Sequence, residues 1–330
     1  MGHRKYSAPR RGSVAFRPRA RARSLEARVR TWPQVSGEKS TLLGFAGFKV
    51  GGIHVLTIDD REKTPNFGKQ LLNAATVIAT PPIKIIGIRA YKTDLYGDHA
   101  IFDVYTKDLP KELSRRVDVK QAEDAMVKAE GKVAQASSIM AIASITPSSV
   151  GISQKKPFVF ELGLSGKDAK AQFEYAKSIL GKEIKASDIF QPGQNIDVFG
   201  ITRGKGVEGP ITRFGVKRKQ HKSRKSVRAV GTLGPISPAV VMYTVARQGQ
   251  RGFHQRTEYN KRILVMSSAE KDSAINPKGG FKHFGLVKGD YIIVRGSIPG
   301  VPQRLIKMRH PIRNIPKKVL EPKVLEVVVE

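Results

Sequence analysis

From residue 42 to 91 the apolar positions fall into short β-like runs. Gly44-Phe45-Ala46-Gly47-Phe48-Lys49-Val50-Gly51-Gly52 precedes Ile53-His54-Val55-Leu56-Thr57-Ile58, and Thr76-Val77-Ile78 precedes Lys84-Ile85-Ile86-Gly87-Ile88 across Pro81-Pro82. β-Branched runs broken by Gly and Pro predict strands of a sandwich or barrel. Between 103 and 190 the period changes. Val119, Ala122, Met126, Ala129 and Val133 alternate three- and four-residue spacings and predict one helical face, with Asp118 and Gln121 as a capping box and Gly131 weakening or ending the helix. Residues 167–180 predict a second helix with Ala169, Phe173, Ala176 and Leu180 on one side, and strands are expected at 139–145 and 158–162. Strand signals return at 196–201, 240–245, 263–266, 291–295 and 304–308. The pattern predicts a mainly β chain whose barrel is split by an α+β insertion.

Charge divides the chain further. The 330 residues hold 59 Lys plus Arg and 28 Asp plus Glu, a formal net charge of +31. A cation this large repels itself unless a polyanion neutralises it. Residues 1–33 carry ten Lys/Arg against the single acid Glu26, with Pro9, Pro18 and Pro33 and no apolar period. Such an arm cannot form a core of its own and is expected to order only on a polyanion. Residues 103–190 are nearly neutral, with 14 Lys/Arg and 12 acids, and are expected to face solvent or protein more than RNA. Residues 203–262 carry 15 Lys/Arg and two acids, Glu208 and Glu258. The expected organisation is a basic N-terminal arm over 1–41, barrel segments at 42–102, 191–202 and 263–330, the insertion at 103–190 and a long basic loop at 203–262.

The chain has no cysteine, which excludes disulfides, thiolate zinc sites and cysteine nucleophiles. The apolar run 139–145 is far short of the about 20 residues that span a bilayer, so no membrane partner is expected. The basic N-terminus has no apolar run behind it, so a secretory leader is not expected either.

Gly204-Lys205-Gly206-Val207-Glu208-Gly209 matches GxGxxG. A dinucleotide site needs that loop between a strand and a helix N-terminus, with an acid about 20 residues on. Residues 210–216 predict no helix, and Arg224-Lys225-Ser226 occupy the place of the acid. An RNA-modifying or nucleotide-using enzyme is therefore the weaker alternative, and no catalytic residue, metal, cofactor or small-molecule substrate is expected. The glycines suit a backbone that approaches phosphates closely, its N–H groups donating to phosphate oxygens. The same reading covers Arg203, Lys205, Arg213, Arg247, Gln250, Arg251 and Arg256, with Phe253 and His254 as candidate base-stacking rings, a barrel-core Phe253 and a plain surface His254 being the alternatives. Lys217-Arg218-Lys219-Gln220-His221-Lys222-Ser223-Arg224-Lys225 has six Lys/Arg in nine residues; a nuclear address and a solvated face are the alternatives, and its Gly- and aromatic-rich flanks favour, with Arg228, an extended loop held in RNA. In the arm the candidates are Arg4, Lys5, Arg10, Arg11, Arg17, Arg19 and Arg21. The loop tip, Gly234-Pro235-Ile236-Ser237-Pro238, carries no charge and suits wedging by shape.

The opening Gly2-His3-Arg4-Lys5-Tyr6-Ser7-Ala8-Pro9-Arg10-Arg11-Gly12 resembles the N-terminus of the universal large-subunit ribosomal protein L-three family, archaeal and eukaryotic type. Residues 199–209, Arg213-Phe214-Gly215, residues 245–260 and residues 279–285 resemble it too, so the likeness covers nearly the whole chain. The resemblance implies a translation-type β-barrel with an inserted domain, and an arm and central loop running into large-subunit rRNA. It also implies a loop tip close to the peptidyl-transferase centre, an early role in subunit assembly, neighbouring ribosomal proteins as partners, and a place in the cytoplasmic ribosome. Catalysis would belong to the RNA. Eukaryotic members carry a Trp-His pair where this chain has Ile236-Ser237, and a histidine that some members modify falls at Arg224. The short tail after Pro316 and the lack of cysteine make an archaeal member the expectation.

Overall fold

The computed structural model describes residues 11–34, 40–118, 125–223, 226–270, 273–313 and 319–329. Along the chain run β1 (Gly44–Ile58), β2 (Gln70–Ala79), β3 (Ile83–Asp94), β4 (Gly97–Tyr105), α1 (Ala125–Lys132), β5 (Ser138–Ile145), β6 (Phe158–Gly163), α2 (Ala169–Ile179), β7 (Glu183–Ile184) and β8 (Asn195–Ile201). There follow β9 (Val207–Glu208), α3 (Pro210–Phe214), β10 (Gly249–Gln250), β11 (Gln255–Ser268), β12 (Asp290–Arg295), β13 (Leu305–Arg309) and β14 (Val324–Val328). The chain is mainly β. It divides into two units, a smaller one of Met1–Leu25 with Ile201–Gln255 and a larger one of Glu26–Gly200 with Arg256–Glu330.

The larger unit contains two sheets. The first has the order β13-β8-β11-β12-β2-β1-β14, and β13 also pairs with β1, so the hydrogen-bonded order returns on itself. The second has the order β4-β3-β5-β6, with β7 on β3. β1 merges two runs that the sequence separates at Gly51-Gly52. It pairs with β13 over Gly44–Phe48 and with β14 from His54, and its register on β2 shifts between Lys49 and Gly51. A bulge there lets one strand bend from one partner to the other. Beyond the bulge the inward positions alternate: Ile53, Val55 and Thr57 are buried and His54 is exposed. That is the period-2 signal of a sheet with one covered face.

Segment 42–102, expected as the first barrel part, supplies β1 and β2 to the first sheet. It also supplies β3 and most of β4 to the second, where β3 pairs with both β4 and β5. Alternation marks a strand and does not say which sheet receives it. α2 covers the second sheet with Phe173 and Ala176 buried, and Phe173 meets Phe102 edge-on at 6.2 Å. Of the first expected helix, the part from Ala125 is helical with Ala129 buried; Val119, Gln121 and Ala122 lie outside the described residues. No helix among the described residues is long and apolar enough to cross a membrane.

Two expectations need correction. Residues 240–245 form no strand: they are bends and turns, and Val240, Val241, Met242 and Tyr243 are exposed. β-Branched residues favour a strand only where a neighbour supplies a ladder to pack on. Residues 26–33, read as part of a coreless arm, are packed. Ala27 and Pro33 are buried. The single tryptophan, Trp32, lies in a hollow that glycines make: a Cβ on Gly163 would sit 2.5 Å from Trp32 Cδ2, and one on Gly44 2.8 Å from its Cζ3.

Candidate nucleic-acid interface

The smaller unit holds most of the candidate residues. It carries eight Lys/Arg in Met1–Leu25 and twelve in Ile201–Gln255, and its one acid is Glu208. Two backbone stretches run side by side within it. Thr202 N–H donates to His254 O at 3.0 Å, Phe253 N–H to Arg203 O at 3.2 Å, Lys205 N–H to Arg251 O at 2.9 Å and Arg251 N–H to Gly206 O at 2.8 Å. β9 and β10 continue the pairing, Glu208 opposite Gly249 and Val207 opposite Gln250. The Lys205 N–H expected on a phosphate is therefore spent inside the protein. Gly252 makes the close approach possible: it has φ +72, and a Cβ there would fall 2.0 Å from Arg203 O.

A helix does follow the glycine loop, against expectation. α3 is one short turn that starts at Pro210, whose fixed φ suits the first helical position. It ends at Gly215, which takes φ +66 and donates its N–H to Ile211 O. The Pro and Gly read as breakers are its start and stop signals. The acid a dinucleotide site requires is still missing, and Arg224 and Lys225, in its place, lie outside the described residues. So do Arg4, Lys5 and Arg10.

Arg11, Arg21, Arg203, Lys205, Lys217, Arg218, Lys222, Arg228 and Arg247 are exposed. Arg17, Arg19, Lys219, Arg213, Gln250, Arg251 and Arg256 are half-buried, and several are tied to the protein itself. Arg251 Nη1 meets Glu208 Oε2 at 2.7 Å, Gln250 Nε2 donates to Gly252 O at 2.9 Å, and Arg213 donates to Gln250 O at 3.0 Å and Arg247 O at 3.2 Å. Burial and the neighbouring Arg17 lower the pKa of Arg213 from its ordinary value. His254, read as a stacking or surface ring, is 8% exposed, and its Nδ1 lies 2.9 Å from Ala20 O. Phe253 takes φ +53 and stands under the Arg21 guanidinium at 5.2 Å. At the tip, residues 231–240 are all exposed, Ile236 at 95%.

The sequence reading passed over Phe214. Its ring is buried, with the guanidinium carbons of Arg19, Arg17 and Arg213 at 4.2, 5.1 and 5.1 Å from its centroid. Arg-Phe-Gly at 213–215 was the available signal, since an aromatic beside a cation can form a cation–π contact.

A mainly β chain that sets twenty cations in a unit with one carboxylate has the make-up of a protein that binds a polyanion. The Ribosomal protein L3 family model matches residues 1–330, and the chain belongs to that family. It is 45% identical over 321 residues to the large ribosomal subunit protein uL3 of Caldivirga maquilingensis, covering 94% of this chain and 91% of that one. It is 44% identical over 334 residues to uL3 of Methanococcoides burtonii, covering 99% and 97%. For uL3 of Pyrobaculum aerophilum the identity is 42% over 334 residues, covering 98% of each chain.

Proposed function

We propose that the chain is a structural, non-catalytic constituent of the large ribosomal subunit in the cytoplasmic ribosome, binding large-subunit rRNA and neighbouring ribosomal proteins. The observation that carries this reading is the unit of twenty cations and one acid, Glu208, in a chain of this family. One carboxylate cannot neutralise twenty cations, and a phosphate backbone can. On this reading the first sheet, with β13 on both β8 and β1, is a translation-type barrel, and the second sheet with α1 and α2 is its α+β insertion. The exposed cations Arg11, Arg21, Arg203, Lys205, Lys217, Arg218, Lys222, Arg228 and Arg247 contact phosphates, with Lys219, Arg251 and Arg256 beside them; Arg4, Lys5, Arg10, Arg224 and Lys225 join them by their charge. Gly234, Pro235, Ile236, Ser237 and Pro238 lie nearest the peptidyl-transferase centre, where an uncharged, proline-stiffened turn fits RNA by shape.

The test is fractionation of archaeal cells carrying a tagged copy of the chain. We expect it to remain in large subunits after a high-salt wash. A chain that washes off and turns over an RNA or nucleotide substrate would overturn the reading.

A further inference from the structure

Beside Phe214 lies a cavity of about 450 Å³, within the roughly 300–1,000 Å³ of ligand clefts. Arg17, Arg19, Arg213, Phe214 and Tyr243 line it, with Val14 and two small neighbours, and none of its lining residues is acidic. Three guanidiniums thus converge on one ring, and the only acid of their unit, Glu208, is engaged by Arg251. Like charges repel, and the negative face of one ring offsets that only in part.

Protein carbonyls hold these arginines, and in Arg17 they leave a donor over. Arg17 donates through Nη1 to Tyr243 O and through Nη2 to Thr244 O at 3.2 Å, while its Nε–H is buried without an acceptor. Arg19 donates to Arg213 O at 2.8 Å. Buried guanidinium donors without an acceptor are costly unless an anion meets them. Tyr243, a residue 71% exposed, borders the same space, although the wall otherwise mixes apolar and cationic groups. A free phosphate would leave most of the volume and the aromatic ring unused.

We propose that this cavity takes a single nucleotide of the bound RNA, its phosphate between Arg17 and Arg213 and its base on the Tyr243 ring. The proposal rests on the rRNA-binding reading and adds a discrete site to it. It also assigns Tyr243, in a stretch the sequence pattern marks as strand, a role in stacking.

The test places the photoreactive residue p-benzoylphenylalanine at Tyr243, and separately at Ile236, in full-length chains assembled into large subunits. Irradiation at position 243 is expected to join the chain to RNA at one nucleotide, read as one primer-extension stop. RNA crosslinking at 236 with none at 243, or a protein crosslink at 243, overturns the nucleotide site and leaves rRNA binding standing. RNA crosslinking at neither position overturns the nucleotide site, and a chain that does not enter large subunits overturns the rRNA-binding reading as well. Tyr243→Ala gives a second readout, since the exposed ring can be removed without disturbing the carbonyl that Arg17 uses. The free variant is expected to bind large-subunit rRNA roughly tenfold more weakly, the usual scale for one lost base stack. Unchanged affinity overturns the stacking role.

Discussion

Asp197 is fully buried, and every partner it has depends on its charge or its lone pairs. Arg309 donates to its Oδ2 through Nη2 at 3.0 Å and Nε at 3.2 Å, and the backbone N–H groups of Asn260 and Ile312 reach the carboxylate at 3.1 and 3.4 Å. Arg309 is itself 4% exposed at its side chain, stacks on Phe199 at 4.7 Å and donates to Thr31 O. Removing one member of such a pair strands the other charge away from water. Asp197→Ala is therefore expected to destabilise the protein by about 3–5 kcal/mol in urea denaturation. A loss below about 1 kcal/mol would mean that Arg309 finds water or another acceptor. Lys307, two residues earlier on β13, has no such acid in contact among the described residues. It is 7% exposed with its ammonium 4.7 Å from the Phe160 ring centroid, and burial pushes its pKa down to about 8 from 10.5, partly opposed by Glu26 and Glu161. Below pH 8 folded and unfolded chains are both protonated there and the cost of burying the charge is full. Between pH 8 and 10.5 the folded chain releases the proton first, so stability rises with pH in that window. Lys307→Met should raise stability at pH 7 by up to about 3 kcal/mol and remove that rise. A stability curve of the variant parallel to that of the parent between pH 8 and 10 would refute the assignment.

At the scale of elements, the paired stretches 202–206 and 251–254 depend on one glycine. Gly252→Ala must relieve both a left-handed backbone and a 2.0 Å approach to Arg203 O, a strain of about 1–3 kcal/mol or more. The stretches then open more often, and about 1.4 kcal/mol is enough for tenfold more of the open form, which proteolysis reads. Trypsin should cut at Arg203 and Lys205 at least about tenfold faster, with the unfolding of the larger unit unchanged. Gly204→Ala is the control, because its Cβ would meet Phe253 at an ordinary 3.5 Å; equal acceleration in both would place the effect elsewhere. The contrast also shows what the sequence discloses. GxGxxG drew attention to Gly204, Gly206 and Gly209, yet the position that admits nothing larger is Gly252, whose need arises from a chain segment 49 residues away in sequence that no local pattern names. Strands built from continuous β-branched and aromatic runs were legible, as β8 and β12 are. β14 was not, because Val324–Val328 follows a Pro- and Lys-rich stretch and owes its state to pairing with β1. Likewise the cations of the interface could be named in advance from charge alone. Their grouping around Phe214 could not, since it brings Arg17 and Arg19 to Arg213 from the far end of the sequence.

At the scale of the whole molecule, the N-terminal forty residues do two different things, and truncations should separate them. Residues 1–23 hold eight Lys/Arg and no acid. Each phosphate they neutralise contributes about 0.7–0.9 to the slope of log affinity against log salt. Removing 1–23 should therefore flatten the slope by several units, at most about seven, while the melting temperature of the larger unit stays put. Extending the deletion to residue 33 adds only Arg28 and Arg30 to the lost cations but removes Ala27, Trp32 and the Thr31 carbonyl that Arg309 uses. Loss of a packed tryptophan alone costs about 3–5 kcal/mol. The longer truncation should thus lower the melting temperature sharply while changing the salt slope by little more than the shorter one. Salt titrations of binding to large-subunit rRNA, paired with thermal melts of the three chains, measure both quantities. Equal melting temperatures for the two truncations would show that Trp32 contributes nothing to the core. An unchanged slope after removal of 1–23 would show that the arm neutralises no phosphate, and would leave the salt dependence to the remaining cations, those of 203–262 foremost.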